Sequence, residues 1–85
     1  MKKDIELYQA DCFDVMNDLI KQNVKVDAII CDPPYLINQA NWDKEFNMSL
    51  AVDLCYDLLK DNGNLILFQG WSNVLQTKEL LDEKF

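Results

Sequence analysis

An apolar run that stops at two consecutive prolines most constrains what this chain can fold into: Val26–Cys31 is followed directly by Asp32-Pro33-Pro34-Tyr35. A nearly continuous apolar run of this length is typical of a parallel strand that is covered on both faces. Proline cannot donate a hydrogen bond to a neighbouring strand, so the prolines end the strand. The sequence therefore predicts a buried strand with a carboxylate at its carboxyl end. The four residues after the strand are named the DPPY segment below.

Hydrophobic periodicity predicts further elements on either side of that strand. Residues 5–8 alternate as a short strand would, and apolar residues spaced by three and four predict a helix that Asp11 caps. Four more elements follow: a loop over 36–48, a helix from an N-cap at Ser49 to a left-handed cap at Gly63, a strand over 65–68, and a helix from about Asn73. Strands that alternate with helices predict an α/β fold with a parallel sheet, whose sites form at the carboxyl ends of the strands.

Composition limits which partners the chain is expected to bind and which cellular compartment it is expected to occupy. The 85 residues are 49% hydrophobic and 27% charged, which indicates one globular domain rather than a disordered chain. Net charge is −7, with eight lysines, no arginine and no basic cluster beyond Lys2-Lys3, so we expect no grip on nucleic acid by this chain alone. No apolar stretch is long enough for a signal peptide or a membrane span.

The three cysteines, Cys12, Cys31 and Cys55, predict a structural role. They are widely spaced, no Cys-x-x-Cys pair occurs, and the chain has no histidine, so the sequence argues against a zinc site or any other metal site. We expect three small buried hydrophobic side chains in a reducing cytoplasm.

The DPPY segment suits one kind of chemistry, the modification of an exocyclic amino group on a nucleobase. Such a nitrogen is a poor nucleophile, and two acceptors on its hydrogens stabilise the positive charge that develops when it attacks. The Asp32 carboxylate and the Pro33 carbonyl provide two acceptors, and each following proline restricts the backbone before it. Tyr35 offers a face for stacking on a flipped base. The alternative is an ordinary strand-to-loop turn, where Asp and Pro are common.

Three stretches in the right order carry a family resemblance: residues 11–16, residues 26–35, and Asn41-Trp42-Asp43. Together they resemble the N-terminal part of S-adenosylmethionine-dependent DNA amino-methyltransferases, in the arrangement where the DPPY segment precedes the cofactor motif. The resemblance runs from Ile5 to about Gly70 and implies part of a Rossmann-like sheet with helices on both faces. It also implies S-adenosylmethionine as methyl donor, DNA as partner, and a flipped adenine, or less often cytosine.

The resemblance assigns roles to individual residues. The amino group of the base would be held by Asp32 and Pro33, with Pro34 fixing the backbone and Tyr35 stacking on the ring. Asp11, Cys12 and Asp32 would border the cofactor, although a plain helix cap explains Asp11 equally well. For Trp42 and Trp71, packing is the preferred interpretation.

The chain also departs from the family. Its two glycines, Gly63 and Gly70, form no glycine-rich loop, and the family places that loop and the target-recognition region in the C-terminal half. We therefore expect an N-terminal piece of a methyltransferase from a restriction-modification or phage setting, inactive alone, with an incomplete sheet. A partner chain or a homo-oligomer would complete that sheet. The alternative is a non-catalytic methyltransferase-like protein that acts by associating with a partner chain.

Overall fold

Helices and strands alternate along the part of the chain that the computed structural model describes, residues 5–33, 46–71 and 74–85. The elements are α1 (Cys12–Lys21), β1 (Val26–Cys31), α2 (Met48–Leu58), β2 (Leu59–Leu67) and α3 (Val74–Lys84). β1 and β2 pair in parallel as a two-stranded sheet. The predicted α/β class with a parallel sheet is therefore confirmed, and β1 has the predicted bounds.

The register of the sheet contains one irregularity. The pairing is regular from Ala28 opposite Asn64 to Cys31 opposite Leu67. Before that, Val26 lies opposite Leu59, so β2 advances five residues while β1 advances two. The four residues 60–63 of β2 thus lie opposite the single residue Asp27 and form a bulge that ends at Gly63. A Cβ on Gly63 would lie 2.8 Å from Leu59 Cδ2 and 3.1 Å from the backbone oxygen of Asp27, and this close approach favours glycine.

Both predicted ends of the central helix are wrong. α2 is capped by Asn47, whose side-chain oxygen accepts from the backbone N–H of Leu50 at 3.0 Å, rather than by Ser49. The helix ends at Leu58, and the chain turns directly into β2. Gly63 does not adopt a positive φ and caps no helix. A left-handed residue does end α1, where Asn23 has a φ of 62°.

Two predictions about strands are also wrong. Residues 5–8 form no strand, and the side chain of Leu7 is 91% exposed. β1 is not covered on both faces, because Ile30 is 71% exposed and its partner in the register, Ile66, is 49% exposed. Phe68, two residues beyond Ile66, is also exposed. One face of the sheet is therefore apolar and open to solvent.

The core lies around α2, which packs against α1, α3 and β2. Its buried apolar side chains come from α2 and the first residue of β2: Met48, Ala51, Val52, Leu54, Cys55, Leu58 and Leu59. Phe13 of α1 and Leu80 of α3 pack against this cluster from their own helices. In the described segments, none of the helices combines the length and apolar character that crossing a membrane requires.

Candidate functional site

The carboxyl end of β1 presents the first half of the DPPY segment. The backbone N–H of Phe68 donates to the carbonyl of Cys31 at 3.0 Å, which extends the β1–β2 ladder to the last residue of β1. Asp32 follows with an exposed side chain, and Pro33 is buried. The ladder and the buried ring thus hold the backbone on both sides of Asp32. Pro34 and Tyr35 lie outside the described residues, so the stacking role of Tyr35 stays a prediction.

Asp32 and Pro33 line an open cavity of 810 Å³. Its walls come from α1, β1 and α2, and Cys12 at the start of α1 lines it as well. The structure thus brings together three of the residues that the sequence singled out. A volume of this size is in the range of small-molecule sites, which run from about 300 to 1,000 Å³.

Asp11 acts as the N-cap of α1. Its side chain accepts a hydrogen bond from the backbone N–H of Phe13 at 2.8 Å, and its own backbone is extended, with φ −63° and ψ 128°. Asp11 does not line the cavity, although the next residue, Cys12, does. The predicted capping role is confirmed, and a role beside a cofactor stays a prediction.

The three cysteines all line the same cavity but differ in exposure. Cys55 is buried, Cys31 is half-buried and Cys12 is exposed, so the expectation of three buried hydrophobic side chains is right for Cys55 and wrong for Cys12. Burial raises the pKa of the Cys55 thiol to about 11. Desolvation also raises the pKa of Cys31 and of Cys12, with a further contribution from Asp11 in the latter case. Protonated thiols are weak nucleophiles at neutral pH, which indicates that these cysteines shape the cavity wall.

The positive charges in the described part of the chain are poorly placed to bind phosphate, because most of them are paired. Three lysines are paired with carboxylates: Lys60 with Asp27 at 2.9 Å, Lys78 with Asp82 at 2.6 Å, and Lys84 with Asp53 at 3.7 Å. Over residues 5–33, 46–71 and 74–85, no group of three or more Cys, Asp or Glu side chains is placed to hold a metal ion.

Sequence reasoning missed two polar features. Glu6 lines the cavity, although its segment was predicted only as a strand. At the end of β2, the Thr77 hydroxyl of α3 donates to Gln69 Oε1 at 2.6 Å, and Thr77 is buried. The amide nitrogen of Gln69 is buried, and it has no hydrogen-bond partner among the described residues. Trp71, predicted to pack, is exposed instead, and Trp42 lies outside the described residues.

Comparison with models of protein families, with curated proteins and with solved structures finds no match for this chain. The described residues define a small α/β domain with a two-stranded parallel sheet, and its candidate site is the cavity that Asp32 and Pro33 line.

Proposed function

We propose that this chain carries the part of an S-adenosylmethionine-dependent DNA amino-methyltransferase that holds the amino group of the target base. One observation supports the proposal above all: the DPPY segment directly follows a parallel strand, and Asp32 and Pro33 line an open cavity at that strand's carboxyl end. In this proposal the sheet is part of a Rossmann-like sheet with helices on both faces. Adenine N6 is the first choice of target and cytosine N4 the second.

Asp32 and Pro33 would do the chemical work by accepting hydrogen bonds. The carboxylate of Asp32 accepts one hydrogen of the amino group, and the carbonyl of Pro33 accepts the other. These two bonds orient the nitrogen lone pair away from the ring plane and stabilise the positive charge that grows on nitrogen during attack. The hydrogen bond at Cys31 and the burial of Pro33 support the proposal, because they hold the backbone on both sides of Asp32 before the base arrives.

The residues present fit the amino group better than they fit the methyl donor. S-adenosylmethionine would supply a methyl group on a sulfonium centre, but a cradle of backbone N–H groups for its methionine part needs closely spaced glycines. The chain has only Gly63, in the β2 bulge, and Gly70. We therefore propose that the cofactor loop and the target-recognition region lie outside these 85 residues, and that these residues alone transfer no methyl group to DNA.

The binding of the amino group can be tested without any methyl transfer. The probe is 2′-deoxyadenosine, titrated into ¹⁵N-labelled protein, with N6,N6-dimethyl-deoxyadenosine as the matched control because it lacks both amino hydrogens. We expect shifts in the amide signals of Cys31 and Asp32 with a dissociation constant on the order of 1 mM, and none with the dimethyl compound. Equal binding of the two compounds would contradict the proposal.

Variants of the protein sharpen this test. Asp32→Ala removes one acceptor of a charge-assisted hydrogen bond and should weaken deoxyadenosine binding by about tenfold or more. Asp61→Ala removes an exposed carboxylate from the β2 bulge, outside the cavity, and should leave binding unchanged. If Asp32→Ala bound as well as the unmodified protein, the carboxylate would have no part in holding the amino group.

The second candidate function, a non-catalytic protein that acts through a partner chain, is favoured by one observation. The exposed apolar side chains of Ile30, Ile66 and Phe68 lie on one face of the sheet, as expected for a surface that another chain covers. Under this alternative, Asp32→Ala would leave function intact, whereas polar substitutions of Ile66 or Phe68 would abolish it.

A further inference from the structure

The cavity beside Asp32 continues along the edge of β1 that faces away from β2. In the described part of the chain β1 pairs with β2 alone, and five of its six residues line the cavity, all except Asp27. Residues of α1 and α2 form the rest of its lining, together with Glu6, Asp32, Pro33 and Phe46. This groove, bounded by the open edge of β1, by α1 and by α2, is named the β1 groove.

The backbone of β1 has hydrogen-bonding groups that face away from β2, and within the described residues no other strand pairs with them. The carbonyl of Cys31 faces β2, because it accepts from Phe68 N. Successive residues of a strand direct their backbone groups to opposite sides, so those of Ala28 and Ile30 face the open edge. Unpaired N–H and C=O groups along a strand edge are a template on which another extended segment can pair.

The charges around the β1 groove restrict what can enter it. Glu6 and Asp32 are the charged side chains that line it, and both are acidic. The whole chain has a net charge of −7, so a second copy would bring charge of the same sign. The β1 residues that line the groove, such as Ala28 and Ile29, are apolar. Charge complementarity therefore favours an apolar segment with basic residues at its ends.

We propose that the β1 groove binds an extended apolar segment of a partner polypeptide, flanked by Lys or Arg, as a third strand paired with β1. β1 has six residues, which corresponds to a segment about 20 Å long. Backbone pairing supplies the register, and the basic flanks meet Glu6 and Asp32. This proposal depends on the open edge and its charges and does not depend on methyl transfer or base binding.

The test uses designed peptides and the full 85-residue chain. The probe is Lys-Lys-Val-Ile-Val-Thr-Val-Ile-Lys-Lys. The first control is the same peptide with alternate backbone nitrogens methylated on the edge that would face β1, and the second carries Glu in place of every Lys. We expect the probe to shift the amide signals of Ala28 and Ile30 and to raise the thermal midpoint. Methylation should weaken peptide binding at least about tenfold. The Glu peptide should also bind more weakly than the Lys probe, and the difference in affinity between these two peptides should shrink at high salt.

A variant pair tests the edge from the protein's side. Ile30→Pro removes an N–H that faces the open edge, and every N–H that donates to β2 is kept. Ile30→Ala shortens the side chain and keeps this N–H. We expect Ile30→Pro to lose peptide binding and Ile30→Ala to keep most of it. If Ile30→Pro fails to fold, the methylated peptide decides the question alone. Equal binding of the methylated and unmethylated peptides would overturn the proposal. So would a stable dimer in sedimentation experiments that Ile30→Pro disrupts, because a second copy would then occupy the groove.

Discussion

Asp11 offers the sharpest separation of a structural role from a role beside a cofactor. Its side-chain oxygen accepts from the N–H of Phe13 at 2.8 Å, while its backbone oxygen accepts from Val15 N at 3.2 Å. Asp11→Ala removes the first bond and leaves the second. Replacing an N-cap Asp by Ala costs about 1 kcal/mol. In a domain of this size that loss lowers the thermal midpoint by about 4–8 °C.

Asp11→Asn provides the matched comparison, because Asn caps helices about as well as Asp. It keeps an oxygen that can accept from Phe13 N and removes one negative charge near the N-terminus of α1. The lost interaction with the helix dipole costs about 0.5 kcal/mol. Removing one carboxylate from a chain of net charge −7 offsets part of that cost. We therefore expect Asp11→Asn to retain most of the stability that Asp11→Ala loses.

Urea denaturation followed by circular dichroism at 222 nm measures both variants against the unmodified chain. The expected order of unfolding free energies is unmodified, then Asn, then Ala, with a similar dependence on urea for all three. An Ala variant as stable as the unmodified chain would refute the capping argument, and so would an Asn variant as unstable as Ala. If Asp11 also borders a cofactor, Asp11→Asn would weaken adenosine binding at nearly unchanged stability.

Three further predictions concern the core, a buried hydrogen bond and pH. Leu58→Ala should lower the unfolding free energy by about 2–5 kcal/mol because Leu58 is 4% exposed. Leu75→Ala should lower it by less than about 0.5 kcal/mol in the same urea assay, because Leu75 is 74% exposed. Thr77→Val should cost about 1–3 kcal/mol, since it leaves Gln69 without its hydroxyl partner, and Thr77→Ser should retain most of that stability in thermal melts. Because burial raises the pKa of Cys55 from 9.0 to about 11, the unfolded thiol ionises first, so the unfolding free energy should fall as the pH rises through that range. Cys55→Ala should make this fall smaller without abolishing it, because the pKa values of Cys31 and Cys12 are raised as well.

Local chemistry predicted several elements of this fold correctly. The cap at Asp11 and the bounds of β1 follow from one residue type and one apolar run, and both are present. The parallel pairing of β1 with the later strand follows from the alternation of helices and strands. These features depend on short stretches of sequence that carry their own signal, which is why they could be read directly.

The wrong predictions arise where two sequence signals compete, or where contacts between distant elements decide the local structure. Asn47 and Ser49 are about equally good caps, and periodicity alone could not choose between them. Residues 61–64 were expected to end the helix with a left-handed cap at Gly63, but they lie within β2, where Gly63 is part of a bulge. Residues 5–8 alternate as a strand would, yet a strand requires a neighbour, and β1 does not pair with them.

The candidate site was predicted in part for the same reason. Asp32 and Pro33 stand out in the sequence because they follow an apolar run, and the structure places both in one cavity with Cys12. Glu6 was missed as a lining residue, because nothing in its own segment indicates which other element it meets. The buried pair of Gln69 and Thr77 likewise depends on how α3 packs against the end of β2.

The two proposals meet at β1, whose end carries Asp32 and whose edge forms one wall of the β1 groove. A two-stranded sheet is marginal by itself, and in the described residues only β2 supports β1. A segment bound in the groove would place a basic flank on the Asp32 carboxylate, which in the proposed function accepts from the amino group of the base. Binding of a peptide in the groove should therefore weaken binding of deoxyadenosine at Asp32. By thermodynamic reciprocity deoxyadenosine should weaken peptide binding by the same factor. If both ligands bound independently, the groove would be a docking surface with no influence on the site at its end.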